Sequence, residues 1–204
     1  ARFAAAKRDG HVRAEWGIPL DAPLIGMISV LRGDKGPDVF LDSCDKLLDE
    51  QPNAWCVLAG DGWMRAQLEQ QHATLRHRQR IVLAGYRRDI PELLAELDLL
   101  VLAAKIPEGV PQVILQAHAA HVPVVATQVG GIDEIAIEGK TAFTAQPNDS
   151  ASLVEAMRLA LREPARADAQ VLQGHALVQG SYSVTAMLQR MAAIYQELGT
   201  TRPH

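Results

Sequence analysis

Cysteine, basic clusters and long apolar runs are all scarce in this 204-residue chain, and each scarcity excludes something. The two cysteines, Cys44 and Cys56, fall in a helix-like and a strand-like stretch. They are expected as reduced core thiols, not as a disulfide framework. Lys plus Arg number 20 against 24 Asp plus Glu, a net charge of −4 with no basic block. That balance argues against a nucleic-acid-binding surface. The longest apolar runs resemble Leu99 to Ala104 and are far too short to span a bilayer. No signal-peptide pattern opens the chain, and the first residue is Ala1 instead of Met, so a fragment is expected. The seven histidines show no metal-ligand spacing: His72 and His77 are five apart, His118 and His121 three apart, with no matching Cys or Asp set. No metal site is expected. No Gly-x-Ser-x-Gly elbow supports triad hydrolysis, and no Gly-x4-Gly-Lys-Ser/Thr loop is present.

What is present is alternation. Hydrophobic residues are 48% and charged residues 22%, the balance of a globular protein with a sizeable core. Short runs nearly continuous in Val, Ile, Leu and Ala read as strands buried on both faces. They are Leu24–Leu31, Ala54–Ala59, Ile81–Ala84, Asp98–Ala103 and Val122–Ala126, with a weaker sixth at Thr141–Ala145. Helical spacing occupies Pro37–Glu50, Trp63–His77, Asp89–Glu96, Pro111–His121 and Ile132–Glu138. Three further helices follow at Ser150–Arg162, Ala165–Gln179 and Val184–Leu198, separated by Pro164 and by Gly180-Ser181. The fold class is therefore α/β: a Rossmann-like parallel sheet of about six strands, helices on both faces, and a helical C-terminal tail. The expected divisions are a lead-in helix and loop over 1–23, the Rossmann-like domain over 24–180 and a C-terminal helix and tail over 181–204.

In such a sheet ligands bind beyond the carboxyl ends of the strands. After the first strand, Arg32-Gly33-Asp34-Lys35-Gly36-Pro37 places two cations between glycines at a helix start. That suits phosphate binding and equally a solvated turn. Gly60-Asp61-Gly62 after the second strand reads first as a tight turn and second as a ligand contact. Arg65 stands where a third glycine would complete a dinucleotide fingerprint, so none is assigned. Tyr86 and Arg87 after the third strand fit a nucleotide base or a surface turn. Glu108 lies on a loop bracketed by Gly and Pro, and Pro111 can open the next helix. The free amides of Gln112 and Val113 can then hold a phosphate, and Gln116 lies one turn further along the same face. A nucleotide-sugar fits that set, and so does a locally capped loop.

Taken together, the loops resemble the C-terminal, donor-binding half of a retaining GT-B glycosyltransferase of family four. The motifs are Arg-x-x-Lys-Gly at Arg32–Gly36, Gly-x-Gly at Gly60–Gly62 and Val-x-x-Gly at Val82–Gly85. Next come a Glu-x7-Glu pattern over Glu108 to Gln116, Ala117-His118-Ala119, the Pro123–Thr127 strand and Gly130-Gly131. The resemblance covers about residues 24 to 198. It implies that Arg32 and Lys35 hold the donor's diphosphate and that Glu108 binds the transferred sugar. It further implies donor contacts at Gly33, Gly60, Gly62, Tyr86, Arg87, Gln112, Val113 and Gln116. The substrate would be a nucleotide-diphosphate sugar, with no metal or other cofactor. Two positions depart from the pattern: Gln116 replaces the family's second Glu, and Pro111 stands where many members have Gly.

Such enzymes bind the acceptor on an N-terminal domain, for which this chain has no room. The expectation is a donor-binding half, inactive alone, from a bacterial enzyme of polysaccharide or lipopolysaccharide biosynthesis. It would be cytoplasmic or at the inner face of the membrane, any membrane contact being peripheral and made through the missing half. A nucleotide-sugar epimerase of the same fold and a non-catalytic nucleotide-sugar-binding module are the competing readings.

Overall fold

The computed structural model describes residues 2–200, with side chains through residue 197. Six parallel strands form one sheet: β1 (Leu24–Ile28), β2 (Trp55–Ala59), β3 (Ile81–Gly85), β4 (Leu99–Leu102), β5 (Val124–Thr127) and β6 (Phe143–Ala145). Their spatial order is β3-β2-β1-β4-β5-β6. β1 lies between β2, with Leu24 opposite Trp55, and β4, with Ile25 opposite Leu99. Strand order reverses there, so a crevice opens beyond the carboxyl ends of β1 and β4.

Alternate residues of each strand feed two cores. Ile25, Met27, Cys56, Leu58 and Val101 pack beneath α3 (Pro37–Glu50), α4 (Arg65–Thr74) and α7 (Ser150–Arg162). Leu24, Val57, Leu100 and Ala126 pack beneath α5 (Ile90–Glu96) and α6 (Gln112–Ala119). α3 buries Phe40, Leu41, Cys44, Leu47 and Leu48, an i, i+1, i+4, i+7, i+8 stripe. Asp149 caps α7 by accepting from the amides of Ala151 and Ser152 at 2.9 and 3.0 Å. Cys44 and Cys56 are both free and buried, and burial pushes the Cys44 thiol up.

Several expected boundaries move. Ile132–Glu138 is not a helix but a short 3-10 turn, Gly131–Glu134. The Ile137 amide donates to Thr141 Oγ1 at 2.8 Å instead of a carbonyl four residues back, and the Thr141 hydroxyl donates to the Ile135 carbonyl at 2.7 Å. The expected break at Pro164 is present: α7 ends at Arg162, Glu163 leaves the helix, and Pro164 itself opens α8 (Pro164–Leu177). Gly180-Ser181 does not break the chain, which winds through a π-type turn, Val178–Tyr182. The break comes at Ser183, which is extended and caps α9 (Val184–Thr200) by accepting from the Ala186 amide. α9 stands largely clear of the body, with Val184, Met187, Leu188, Met191, Ile194 and Tyr195 exposed at helical spacing.

The lead-in is two short helices, α1 (Arg2–Ala5) and α2 (His11–Glu15), bolted to the sheet's amino end. The bolt is Arg13, whose side chain is fully buried. Its Nε donates to Glu96 Oε2 at 3.0 Å, Nη1 to the carbonyls of Pro19 and Ala22, and Nη2 to the Glu96 carbonyl and Asp98 Oδ2. Every guanidinium nitrogen is used, which is how so buried a cation is tolerated. Arg13→Met should therefore destabilise the fold by about 3–5 kcal/mol, because the buried Glu96 loses its counter-charge. Chemical denaturation measures this, and a loss below about 1 kcal/mol would contradict the assignment.

Candidate functional site

The chain leaves β1 through Ser29 to Leu31 and enters a 3-10 turn, Gly33–Lys35. Gly36 then turns it into α3 with φ +66. A Cβ on Gly36 would stand 2.0 Å from the Ala103 carbonyl oxygen, so glycine is what lets this turn approach the end of β4. From the β4 side, the Lys105 amide donates to the Asp34 carbonyl at 2.8 Å, and Lys105 Nζ pairs with Asp38 at 2.7 Å. Lys35 Nζ donates to Glu108 Oε2, both side chains less than one-fifth exposed. The other Glu108 oxygen, Oε1, is buried with no hydrogen-bond partner among the described residues. The structure thus joins Lys35 and Glu108, 73 residues apart in sequence, across the crevice.

Arg32 is nearly half exposed at the mouth of the same crevice. Its Nε and Nη2 donate to Asp34 at 3.0 and 2.5 Å. Asp34's hydrogen bonds and charge raise the Arg32 pKa, and the charge of Glu108 adds to them. Asp34 in turn is held below the usual carboxylate range by Arg32.

α6 begins three residues beyond Gly109, at Gln112. Pro111 is its extended N-cap and not, as expected, its first residue. Among the described residues no acceptor meets the amides of Gln112 or Val113, as at any helix start. Gln112 is exposed; Val113 and Gln116 are half-buried. The Glu108 carbonyl accepts from the Gly131 amide at 2.9 Å, which fixes this loop against the one after β5.

Gly60 and Gly62 serve the chain's own packing. A Cβ on Gly60 would meet the Ser29 carbonyl oxygen at 1.8 Å, and one on Gly62 that of Leu31 at 2.5 Å. Gly33 packs beside Met64. Gly60 also lines a cleft of about 340 Å³ with Ile28, Val30, Asp61, Tyr86 and Arg87. Val30 in the wall of the cleft is two residues from Arg32, whose amide donates to the Val30 carbonyl at 2.9 Å. Tyr86 is exposed there. Arg87 is committed elsewhere: its guanidinium donates to Glu15 and Asp89 and lies over the Trp16 ring at 5.2 Å. It reaches the cleft as a wall, its fork already filled by carboxylates.

Sequence reasoning passed over Asp34, Asp38 and Lys105, though Asp34 and Lys105 lie in the loops it singled out and Asp38 in the helix turn that follows the first. Their alternation in sign with Arg32, Lys35 and Glu108 was the available signal. At the opposite end of the sheet Asp9, His11 and Glu96 place ligand atoms within 4.8 Å of one another. Glu96 there already accepts from the amides of Asp9 and Gly10 and from Arg13, so its lone pairs are used by the protein.

The sequence model for "Glycosyl transferases group 1" matches residues 10–174. The Vi polysaccharide biosynthesis protein VipC/TviE of Salmonella typhi is 32% identical over 136 residues, 67% of this chain and 23% of that protein. The lipopolysaccharide core biosynthesis mannosyltransferase LpsB of Rhizobium meliloti is 29% identical over 181 residues, 85% of this chain and 51% of that one. Among solved structures, Anabaena Alr3699/HepE in complex with UDP superposes with a TM-score of 0.83 at 25% identity, covering 92% of this chain and 52% of that one. The chain spans about half the length, or less, of these relatives.

α6 is anchored from behind by His118. Its Nε2 lies 3.0 Å from the Ile135 carbonyl, which selects the Nε2–H tautomer, and its buried Nδ1 has no partner among the described residues. The ring presses on α8, where a Cβ on Gly174 would come within 2.4 Å of Nδ1. Next to it His121 and His175 stack at 4.0 Å. Burial lowers the His118 pKa; burial and then the charge of His175 lower that of His121. The unfolded chain therefore takes up these protons first. The stability they contribute is complete above the ordinary histidine pKa of about 6.5 and is lost as pH falls below it. His11, exposed and raised by Asp9, acts in the opposite sense under solvent screening. The thermal midpoint should fall between pH 7.5 and pH 5.5; a constant midpoint would remove His118 as a neutral-only anchor.

Proposed function

The chain belongs to the group 1 glycosyl transferases, and from that premise we propose that it is the donor-binding, C-terminal half of a retaining GT-B glycosyltransferase. The donor is a nucleotide-diphosphate sugar, and UDP is the first nucleotide to test because a structural neighbour was solved with it. The observation that carries this reading is the meeting of Lys35 and Glu108 at the switch point of the sheet. A cation for phosphate and a carboxylate for sugar hydroxyls are thereby brought together where an open α/β sheet binds ligands.

In this reading Arg32 and Lys35 neutralise the diphosphate, and they stabilise the charge that grows on it as the glycosidic bond to the leaving group breaks. Two fixed cations can do this without a metal ion. The amides of Gln112 and Val113 meet the phosphate next to the sugar. Glu108 accepts from sugar hydroxyls. Gln116 takes the ribose with one acceptor and one donor, where a carboxylate would supply a charge-assisted bond. The cleft walled by Val30, Tyr86 and Arg87 borders the base.

The acceptor belongs to a second domain, in keeping with relatives about twice as long. Val30, Trp63, Tyr86 and Ile106 are exposed apolar residues that follow β1, β2, β3 and β4 in turn, so they rim the face that carries the site. We assign that rim to the second domain, which makes this chain alone unable to transfer sugar. The product is a polysaccharide or lipopolysaccharide, as the names of VipC/TviE and LpsB suggest. No helix among the described residues is long and apolar enough to cross a membrane; work at the cytoplasmic face would involve peripheral contact through the other half.

Calorimetry of this chain with UDP, GDP, ADP and dTDP tests the assignment. One of the four should bind, and Lys35→Ala should weaken it by about 1.5–3 kcal/mol, the range for hydrogen bonds between charged groups. The loss should shrink at high salt. Equal affinities in the parent and Lys35→Ala chains would remove the phosphate role.

A further inference from the structure

The two cations assigned to the diphosphate are both occupied by carboxylates of the chain itself. Arg32 offers Asp34 the Nε and Nη2 edge of its fork, at 3.0 and 2.5 Å. A planar fork binds one planar or tetrahedral anion per edge. Asp34 therefore fills one of the two edges through which Arg32 could give a phosphate two parallel bonds. It sits two residues from Arg32 and its main chain is pinned by Lys105, so it stays within reach. Lys35 is held by Glu108, and the third cation of the crevice, Lys105, by Asp38. Three positive and three negative side chains leave the site close to neutral.

We infer that Asp34 and Glu108 are built-in competitors for the donor's diphosphate, and that Glu108 thereby sets the preference for nucleotide-sugar over free nucleotide. The inference rests on the proposed donor site and deepens it. A diphosphate reaches Arg32 and Lys35 only by displacing these carboxylates or by lying beside them. The two competitors differ in their fate once displaced. Asp34 is partly exposed, and water satisfies it once Arg32 turns away. Glu108 is about as exposed overall, but its Oε1 is already buried and has no partner among the described residues, whereas both Asp34 oxygens bond Arg32. A carboxylate stripped of its cation in such a place needs donors. Sugar hydroxyls beside the diphosphate provide them; a nucleoside diphosphate without sugar has none to give. Glu108 thus opposes free nucleotide more than it opposes the donor, which favours departure of the nucleotide once the sugar has been transferred.

Isosteric neutral variants separate these effects. Asp34→Asn should bind UDP and inorganic pyrophosphate about threefold to fivefold more tightly than the parent chain, the span of an exposed ion pair. The gain should vanish when Arg32→Ala is added. Glu108→Gln should bind UDP more tightly while UDP-glucose gains little or weakens, so that the ratio of their affinities falls. A misfolded variant cannot gain affinity, so the expected direction is not produced by structural damage. If the parent chain binds UDP and neither variant binds it more tightly, or if Glu108→Gln weakens UDP and UDP-glucose alike, the competition is refuted. If neither the parent nor any variant binds pyrophosphate or any of UDP, GDP, ADP and dTDP, the donor-site reading fails, and this inference with it.

Discussion

The approach of two loops at one point organises this molecule: the turn after β1 and the loop after β4 meet where the strand order reverses. Parallel strands on either side of a reversal send their following helices to opposite faces, so the loops part and leave a crevice. Here they are drawn back together. Gly36 lets backbone meet backbone at Ala103, the Lys105 amide binds the Asp34 carbonyl, and two ion pairs span the gap. Each contact is modest, but all four constrain the same few residues. The orientation of Lys35 and Glu108 is therefore set by the sheet and not by loop preference.

The sheet was legible because its strands are buried on both faces. Leu24–Ile28 and Leu99–Leu102 read as near-continuous apolar runs, and such runs have few other structures available. The helix starts at Pro37 and Ser150 were legible for a local reason: proline and an aspartate cap act within one turn. Ile132–Glu138 misled because its apolar spacing is helical and its apolar residues Ile132, Ile135 and Ala136 are indeed buried. The Ile137 amide goes to the Thr141 hydroxyl and not to a helical carbonyl, and a side-chain competitor four residues downstream leaves no mark on periodicity. Arg13 is the harder case. In sequence it is one of several charges in a polar lead-in; in the fold it is fully buried against Glu96, 83 residues away. No local pattern announces a partner at that distance.

That Lys35 and Glu108 would lie in neighbouring loops was legible in the sequence; the wiring around them was less so. Arg32, Lys35 and Glu108 stand out because cations and a carboxylate among glycines and prolines at strand ends have few structural reasons to be there. That Arg32 would turn to Asp34, and Arg87 to Glu15 and Asp89, depends on side-chain reach in three dimensions. The same holds for His118. Its spacing from His121 suggested nothing, yet with His175 from α8 the three rings fasten the helix that carries Gln112, Val113 and Gln116.

This wiring also reconciles an acidic chain with the anionic donor proposed for it. A net charge of −4 gives no long-range attraction for a nucleotide, and screening would confine any such field to about 10 Å in ordinary salt. Recognition must come from short-range geometry: a fork, an ammonium and helix amides presented together. Unpaired cations packed that closely would repel one another and strain the two loops. Carboxylates interleaved with them remove the repulsion and hold each side chain in place, at the expense of competing with the ligand. Under the proposed function, the arrangement that keeps the crevice stable is the same one that limits how tightly it can hold phosphate, and a transferase that must release its nucleotide in every cycle has reason to keep that limit.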